Sequence, residues 1–343
     1  MTSAAPFDRS AVSRRRRALC SALALLPVAS GSALAQPGGL EKITVAGWSK
    51  PIVEVTPLLV DEDKGFFRAR GIDLQYLSGA GGGDAIRNLL SGQADVAFTD
   101  PGSFFAAIAK GEKLRAIYDI YPQNVFNVVA RKASGITRPA DLKGKRIGVY
   151  SLASGTRQNL LVLLHQAGIA ESEVTIVVTG LLNFAPLVQG QVDATAATDT
   201  GLLVGRRRGL TDIEVIDVKD HLNVSSDLFV VRESAYRQRR EALQRFLQAY
   251  RDSAAWMIDK PEEAARLAGK RAIDGSDPAL NLEIVRLRNA ATVSALTDRR
   301  GLGTLDVESL QKAADTYRRL GMIDHDIRVA DVIAHDLVPG AAR

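Results

Sequence analysis

Two segments of this chain repeat each other in order at a nearly constant offset, and that repeat limits the fold more than any other feature. Gly71-Ile72 matches Gly168-Ile169, Gly92-Gln93-Ala94-Asp95 matches Gly190-Gln191-Val192-Asp193, and Thr99-Asp100 matches Thr198-Asp199, at offsets of 97, 98 and 99 residues. The first copy reads as strands alternating with helices. Lys42 to Ala46 is a short apolar strand, Pro57 to Arg70 a helix stopped by Gly71, and Ile72 to Leu77 a second strand. A helix over Asp84 to Leu90 and a third strand over Asp95 to Phe98 follow. This alternation predicts an α/β fold with a mostly parallel sheet flanked by helices. Two copies predict two lobes of one design, since a solenoid needs three or more repeats.

The segments outside the repeat supply the connections. Arg115 to Tyr121 and Asn124 to Arg131 are strand-like runs joined at Tyr121-Pro122-Gln123, where the chain is expected to cross between lobes. Leu222 to Val231 reads as the return. The expected division is lobe one at residues 40–125 plus 228–343 and lobe two at 126–227. Helical patterns over Ala235 to Asp259, Glu262 to Lys270, Pro278 to Leu296 and Val307 to Leu320 add C-terminal helices to lobe one. Two lobes joined by two thin crossings can hinge around a ligand.

The sequence pI of 9.3 invites a nucleic-acid reading, but the charge is in the wrong place. Arg9, Arg14 to Arg17 and Asp8 leave residues 1–35 at a net +4 of the chain's +5, so the body is almost neutral and has no basic footprint for nucleic acid. Arg14 to Arg17, the apolar run Ala18 to Val28 and Ala33-Leu34-Ala35 form the pattern of a cleavable export signal over residues 1–35. The arginine run also fits a twin-arginine signal, so both that route and the general secretory route stay open. Cys20, the single cysteine, would leave with the leader. The mature chain is expected to be soluble, periplasmic, monomeric and not membrane-spanning, without disulfides or thiol chemistry.

Catalytic and metal signatures do not stand out. His165, His221, His325 and His335 form no metal spacing, and neither a nucleophile elbow nor a phosphate-binding Walker loop occurs. The expectation is a chain with no cofactor, no metal and no catalytic residues.

Several segments together resemble a known family. They are Gly65-Phe66-Phe67 with Arg70-Gly71-Ile72-Asp73-Leu74, Leu90-Ser91-Gly92-Gln93-Ala94-Asp95, Lys110-Gly111-Glu112, Gly135 to Val149, and Gly190-Gln191-Val192-Asp193-Ala194. Over residues 42–230 the chain resembles periplasmic substrate-binding proteins of the nitrate/sulfonate/taurine transporter group, related to thiamine-pyrimidine-precursor binding proteins. The resemblance implies a two-lobed periplasmic binding protein fold of type II-like design. It also implies capture of a small sulfonate-, taurine- or nitrate-like ligand for an ABC permease and its ATPase. A pyrimidine, thiamine-precursor or aromatic ligand is the alternative, as is a periplasmic sensory role. An enzyme of related fold is the least favoured, because the reactive histidine and cysteine-rich motif of such synthases are missing.

Ligands of open α/β sheets bind beyond the carboxyl ends of strands, near helix N-termini. That rule selects Trp48 and Ser49 after the first strand, Gly81 in the loop Gly79 to Gly83, and Thr99 and Asp100. In the second copy it selects Ser154, Gly155, Thr156 and Arg157, with Thr198 and Asp199 as the repeat partners of Thr99 and Asp100. Hydroxyls, glycine and Arg157 at a helix start suit an oxyanion. Asp100, Asp199 and Glu54 suit an amine or a heterocyclic N–H, so the sign of the ligand stays open.

Overall fold

Among the described residues, ten strands form two separate five-stranded sheets. The computed structural model describes residues 39–338 apart from Asn183, and the expected leader lies outside the described residues. β1 (Glu41–Ala46), β2 (Ile72–Leu77), β3 (Val96–Thr99), β4 (Leu114–Tyr121) and β10 (Asp227–Arg232) build the first sheet in the order β2-β1-β3-β10-β4. β5 (Phe126–Arg131), β6 (Arg146–Val149), β7 (Thr175–Val178), β8 (Ala194–Thr198) and β9 (Ile213–Asp217) build the second in the order β7-β6-β8-β5-β9. Each sheet therefore has four strands running one way and one antiparallel strand, β10 or β5, inserted before the last edge strand. The antiparallel strand of each sheet is the one the chain enters directly after crossing from the other sheet.

The repeated Gly-Gln-x-Asp turn does the same work in both sheets. The Asp95 carboxylate accepts from Thr44 N at 2.9 Å, while Asp95 N donates to Thr44 O at 2.8 Å. Asp193 grips Arg146 in the same way, at 2.8 Å in both directions. Gly92 and Gly190 hold φ of +80° and +70°, which only glycine adopts without cost. The sheets carry buried apolar residues, Ile43, Val45, Phe98 and Phe229 in the first and Val128, Ile147, Val149 and Ala194 in the second.

The single helix expected over Pro57 to Arg70 is instead a series of short turns: Val53–Val55, Thr56–Leu59, Asp61–Lys64 and Arg68–Arg70. Asp61 is the cause. Its carboxylate accepts from the backbone N of Phe67 at 2.6 Å and of Arg68 at 3.3 Å, folding the chain back, and Gly65 turns at φ +71°. At the C-terminus the helices Arg240–Asp259, Pro261–Arg271, Pro278–Thr292 and Val307–Arg319 follow β10. Helix Pro278–Thr292 packs on its neighbours and also on helix Asp199–Arg207 of the second lobe. No helix among the described residues is long and apolar enough to cross a membrane.

The two crossings are stitched to each other. Asn124 Nδ2 donates to Asn159 Oδ1 at 2.9 Å and to Leu222 O at 3.0 Å, and Val125 N donates to Ser226 Oγ at 2.9 Å. Beside them Asp119 is fully enclosed, with Ser225 Oγ donating to its carboxyl at 2.7 Å. Burial pushes Asp119 up to about 8. The folded protein thus keeps a proton that the unfolded chain releases near the ordinary aspartate value, so this residue lowers stability progressively as pH rises toward 8. Asp119→Asn should flatten that decline in thermal melts between about pH 5 and about pH 8. An unchanged slope would show that the buried carboxyl does not hold the proton.

Candidate functional site

The carboxyl ends of the parallel strands in both sheets border one cleft, where ligands of open α/β sheets bind. The amino ends of antiparallel β5 and β10 border it too, through Phe126 and Asp227. The cavity measures about 70 Å³, several times the roughly 10–15 Å³ that one buried water needs. Its walls are aromatic. Trp48, in the loop after β1, stands edge-on to Phe98 at 6.3 Å and to Tyr150 of the opposite lobe at 6.4 Å. Phe126 closes another side. The indole Nε1 of Trp48 is buried without a partner among the described residues.

The charged lining is mostly acidic. Glu54, Asp100 and Asp227 face the cavity together with a single guanidinium, Arg288. Burial raises Asp100 above the usual carboxylate range, against the pull of its bonds to Ser103 N and Oγ, both 2.8 Å. Asp227 is raised further, first by burial and then by the charge of Asp100. Burial also raises Glu54, although Arg288 and the Thr200 hydroxyl, which donates at 2.6 Å, act against it. Arg288 is 1% exposed and already engaged. It pairs with Asp199, lies 3.9 Å from Glu54 Oε2, and stacks 4.9 Å over the Tyr121 ring. Burial works to lower the Arg288 pKa, but Asp199 and Glu54 outweigh it and keep the group charged.

The lobes touch across the cavity. Gly83 N donates to Ala153 O at 2.9 Å, and Ser151 Oγ bonds to Ala80 O. On another side Glu54 meets Thr200, and Arg288 meets Asp199.

Of the residues selected from sequence, Trp48, Gly81, Asp100, Ser154, Gly155, Thr156 and Thr198 line this cavity. Gly155 is required there, because a Cβ would sit 2.6 Å from the Phe126 ring and 3.3 Å from Asp100 Cβ. The other selections lie elsewhere. Ser49 is 0% exposed and donates to Lys50 O at 2.7 Å. Thr99 is buried behind the cavity and donates to Gly82 O at 3.0 Å. Asp199 is bound to Arg288 in the wall. Arg157 requires the largest correction. Its guanidinium forms a two-pronged pair with Glu171, at 2.9 and 2.6 Å, and brings no charge to the cavity. The Ser154 and Thr156 hydroxyls are tied up locally: they bond each other at 2.7 Å, Ser154 Oγ donates to Ser151 O at 2.6 Å, and Thr156 Oγ1 accepts from Tyr150 N at 3.0 Å. Ser154 caps the helix Gly155–Gln166 by accepting from Arg157 N, and Thr156 ties the preceding loop to the helix start.

The repeat carries over to these caps with a one-residue shift. Asp100 caps helix Pro101–Ala109, whereas in the second copy Thr198, not Asp199, caps helix Asp199–Arg207. Asp199 is thereby free to meet Arg288. Among the described residues no group of three His, Cys, Asp or Glu is placed to hold a metal ion.

Sequence reasoning did not select Asp227, Tyr150, Phe126 or Arg288. Arg288 did leave a signal: Asn281, Ile284, Val285, Ala291 and Thr292 are the buried positions of its helix, and Arg288 lies on that same stripe.

A family model described as NMT1/THI5 like matches residues 52–264. The riboflavin-binding protein RibY of Chloroflexus aurantiacus is 22% identical over 323 residues, covering 93% of this chain and 92% of its own. A 4-amino-5-hydroxymethyl-2-methylpyrimidine phosphate synthase of Aspergillus parasiticus is 22% identical over 221 residues, 61% of this chain and 64% of its own. Among solved structures, the alkanesulfonate-binding protein SsuA of Xanthomonas axonopodis bound to MOPS superposes with a TM-score of 0.70 at 17% identity, covering 87% of this chain and 99% of that one. That likeness establishes the two-lobed periplasmic binding protein fold, and the family match, which spans more than half of the sequence, places the chain in the NMT1/THI5-like family.

Proposed function

We propose that this chain is an exported solute-binding protein that closes on a small, flat, nitrogen-bearing solute and presents it to an ABC permease and its ATPase. The observation that carries this reading is the lining of the cavity. Trp48, Phe126 and Tyr150 offer aromatic faces and edges to a ring, while Glu54, Asp100 and Asp227 offer carboxyl groups to N–H donors. An oxyanion would find little here. The Arg288 charge is matched by two carboxylates, Arg157 serves Glu171, and the Ser154 and Thr156 hydroxyls serve their own loop. Riboflavin and the aminopyrimidine in the relatives' names are nitrogen heterocycles, which agrees with the acidic lining. The MOPS of the SsuA structure instead carries an anionic sulfonate group.

The test is a thermal-shift screen of pyrimidines, flavins, aromatic amidines, aromatic acids and sulfonates, followed by Trp48 fluorescence. A ligand at 100 times its Kd should stabilise the fold by about 2.7 kcal/mol. Nitrogen heterocycles or amidines are expected to raise the melting temperature and quench Trp48, and Trp48→Phe should remove the quench. Stabilisation by sulfonates alone would overturn the ligand class. Recovery of the bound compound unchanged by mass spectrometry would separate binding from turnover.

A further inference from the structure

The floor of the cleft holds two carboxyl groups that the fold sets beside each other. On adjacent antiparallel strands Val230 pairs with Ala97, Phe229 with Phe98 and Leu228 with Thr99. One step beyond the last pair, β10 begins with Asp227 and β3 is followed by Asp100. Both line the cavity, and they are 6% and 2% exposed. Like charges directly across strands are destabilising, and few positions are less tolerant of them than a buried one.

Their hydrogen bonding is unequal. Asp100 caps a helix and accepts twice from Ser103. Asp227 accepts no hydrogen bond at its carboxyl among the described residues, although it is more than nine-tenths buried. Its carboxyl opens onto the cavity, within reach of a ligand. Arg288 is the one neighbour whose charge favours the ionised form of Asp227. The charged and titratable groups around Asp227 are Asp100, Arg288, Glu54 and Asp119, with Tyr121 and Tyr250 close by. Tyr317 is the titratable group near Asp100 from the C-terminal helices. Arg288, the only cation of this set, is matched by Asp199 and Glu54. Gly82 makes the arrangement possible, since a Cβ there would sit 2.2 Å from Asp100 Oδ2.

Resting on the cleft-binding reading above, we infer that Asp100 and Asp227 act as one subsite, a carboxyl pair that receives a protonated nitrogen group of amidinium or ammonium type and excludes oxyanions. In the free protein the pair retains a proton, because two adjacent carboxylates in a low-dielectric floor do not both ionise. A cationic group supplies the missing positive charge, and the retained proton leaves to solvent. Affinity for a permanent cation therefore rises with pH. Stability of the free protein moves the other way, because the fold binds a proton that the unfolded chain does not.

Benzamidine, benzamide, benzoate and benzenesulfonate share one ring and differ in charge, which makes them the probes. Binding is measured by calorimetry and by Trp48 fluorescence in wild type, Asp227→Asn and Asp100→Asn, at about pH 5.5 and about pH 8. Asparagine keeps the shape at both positions and still caps a helix at 100. Benzamidine should bind wild type more tightly than the other three, and more tightly at the higher pH with proton release. Asp227→Asn should weaken it by about 10- to 150-fold, while raising the melting temperature of the free protein at the higher pH. A carboxyl with a merely structural role would lower that temperature when replaced. Tighter binding of benzoate or benzenesulfonate, or a less than about twofold change in Asp227→Asn, overturns the pair as a cation subsite and leaves the cleft reading intact. If no probe and no heterocycle from the screen perturbs Trp48, the cleft reading and the subsite fall together.

Discussion

Arg288→Ala is expected to destabilise the fold by about 3–5 kcal/mol, the cost of removing one partner from a buried charge pair. The guanidinium is 1% exposed and holds Asp199, which belongs to the second lobe, while lying 3.9 Å from Glu54 of the first. Without it Glu54 is left enclosed and Asp199 part-buried without their guanidinium partner, and the Tyr121 ring loses the cation stacked on it at 4.9 Å. Their pKa values should then rise further, since Arg288 acts to lower both. The sign of the pH dependence follows. Protonating the orphaned carboxyls relieves the cost, so the loss should be smaller near pH 4 than near pH 7. Arg288→Lys should recover only part of the stability, because an ammonium offers no planar fork and stacks poorly on Tyr121. Urea denaturation of the variants, with the combination Arg288→Met, Glu54→Gln and Asp199→Asn beside them, provides the measurement. The combined variant should regain much of the loss, since a neutral replacement of a buried ion cluster is often tolerated. A loss below about 1 kcal/mol in Arg288→Ala would mean that the cluster behaves as a solvated surface pair.

The repeat made the architecture legible in the sequence because its matching residues are backbone devices. Asp95 and Asp193 grip the strand beside them, and Gly71 and Gly168 turn at φ +70°. Such roles depend on local geometry, so they survive divergence and show as spacing. The site was legible only where one rule applied. Of the residues selected beyond the carboxyl ends of parallel strands, Trp48, Gly81, Asp100 and Thr198 line the cavity. Asp227 was missed because β10 runs antiparallel and presents its amino end to the cleft, a direction that no property of Asp227-Leu228-Phe229-Val230-Val231 reveals. Arg288 was missed because its helix is far along the chain and reaches the cavity only through tertiary packing, on the Val53–Val55 turn, on β4 and on helix Asp199–Arg207. Arg157 was misassigned for a related reason. Its position in the first turn of a helix was read correctly, but the direction of its side chain depends on Glu171, which the chain brings back after a full helix.

Gly81→Val should abolish closure of the lobes around ligand while leaving each lobe folded. Gly81 sits at φ +121° with nothing between it and the opposite lobe. A Cβ there would lie 2.4 Å from Ala153 O and 2.8 Å from Ser154 Cα, both backbone atoms that cannot swing aside. The bond from Gly83 N to Ala153 O at 2.9 Å and the one between Ser151 and Ala80 hold the same two loops together. A side chain at 81 therefore forces the loops apart and breaks both bonds. Apparent affinity falls by the fraction of molecules still able to close, so a closed population cut to about 1% weakens binding about 100-fold. The backbone cost of a side chain at positive φ, about 1–2 kcal/mol, needs its own control. Gly111 supplies it, with φ +89° and no atom within 4 Å of the added Cβ. Gly111→Ala should lower the melting temperature without changing affinity, whereas Gly81→Val should change both. Small-angle scattering with saturating ligand should show a contracted radius of gyration for wild type and Gly111→Ala, and an uncontracted one for Gly81→Val. Wild-type affinity and contraction in Gly81→Val would mean that these loops separate without consequence and that closure is carried by Glu54, Thr200, Asp199 and Arg288 alone.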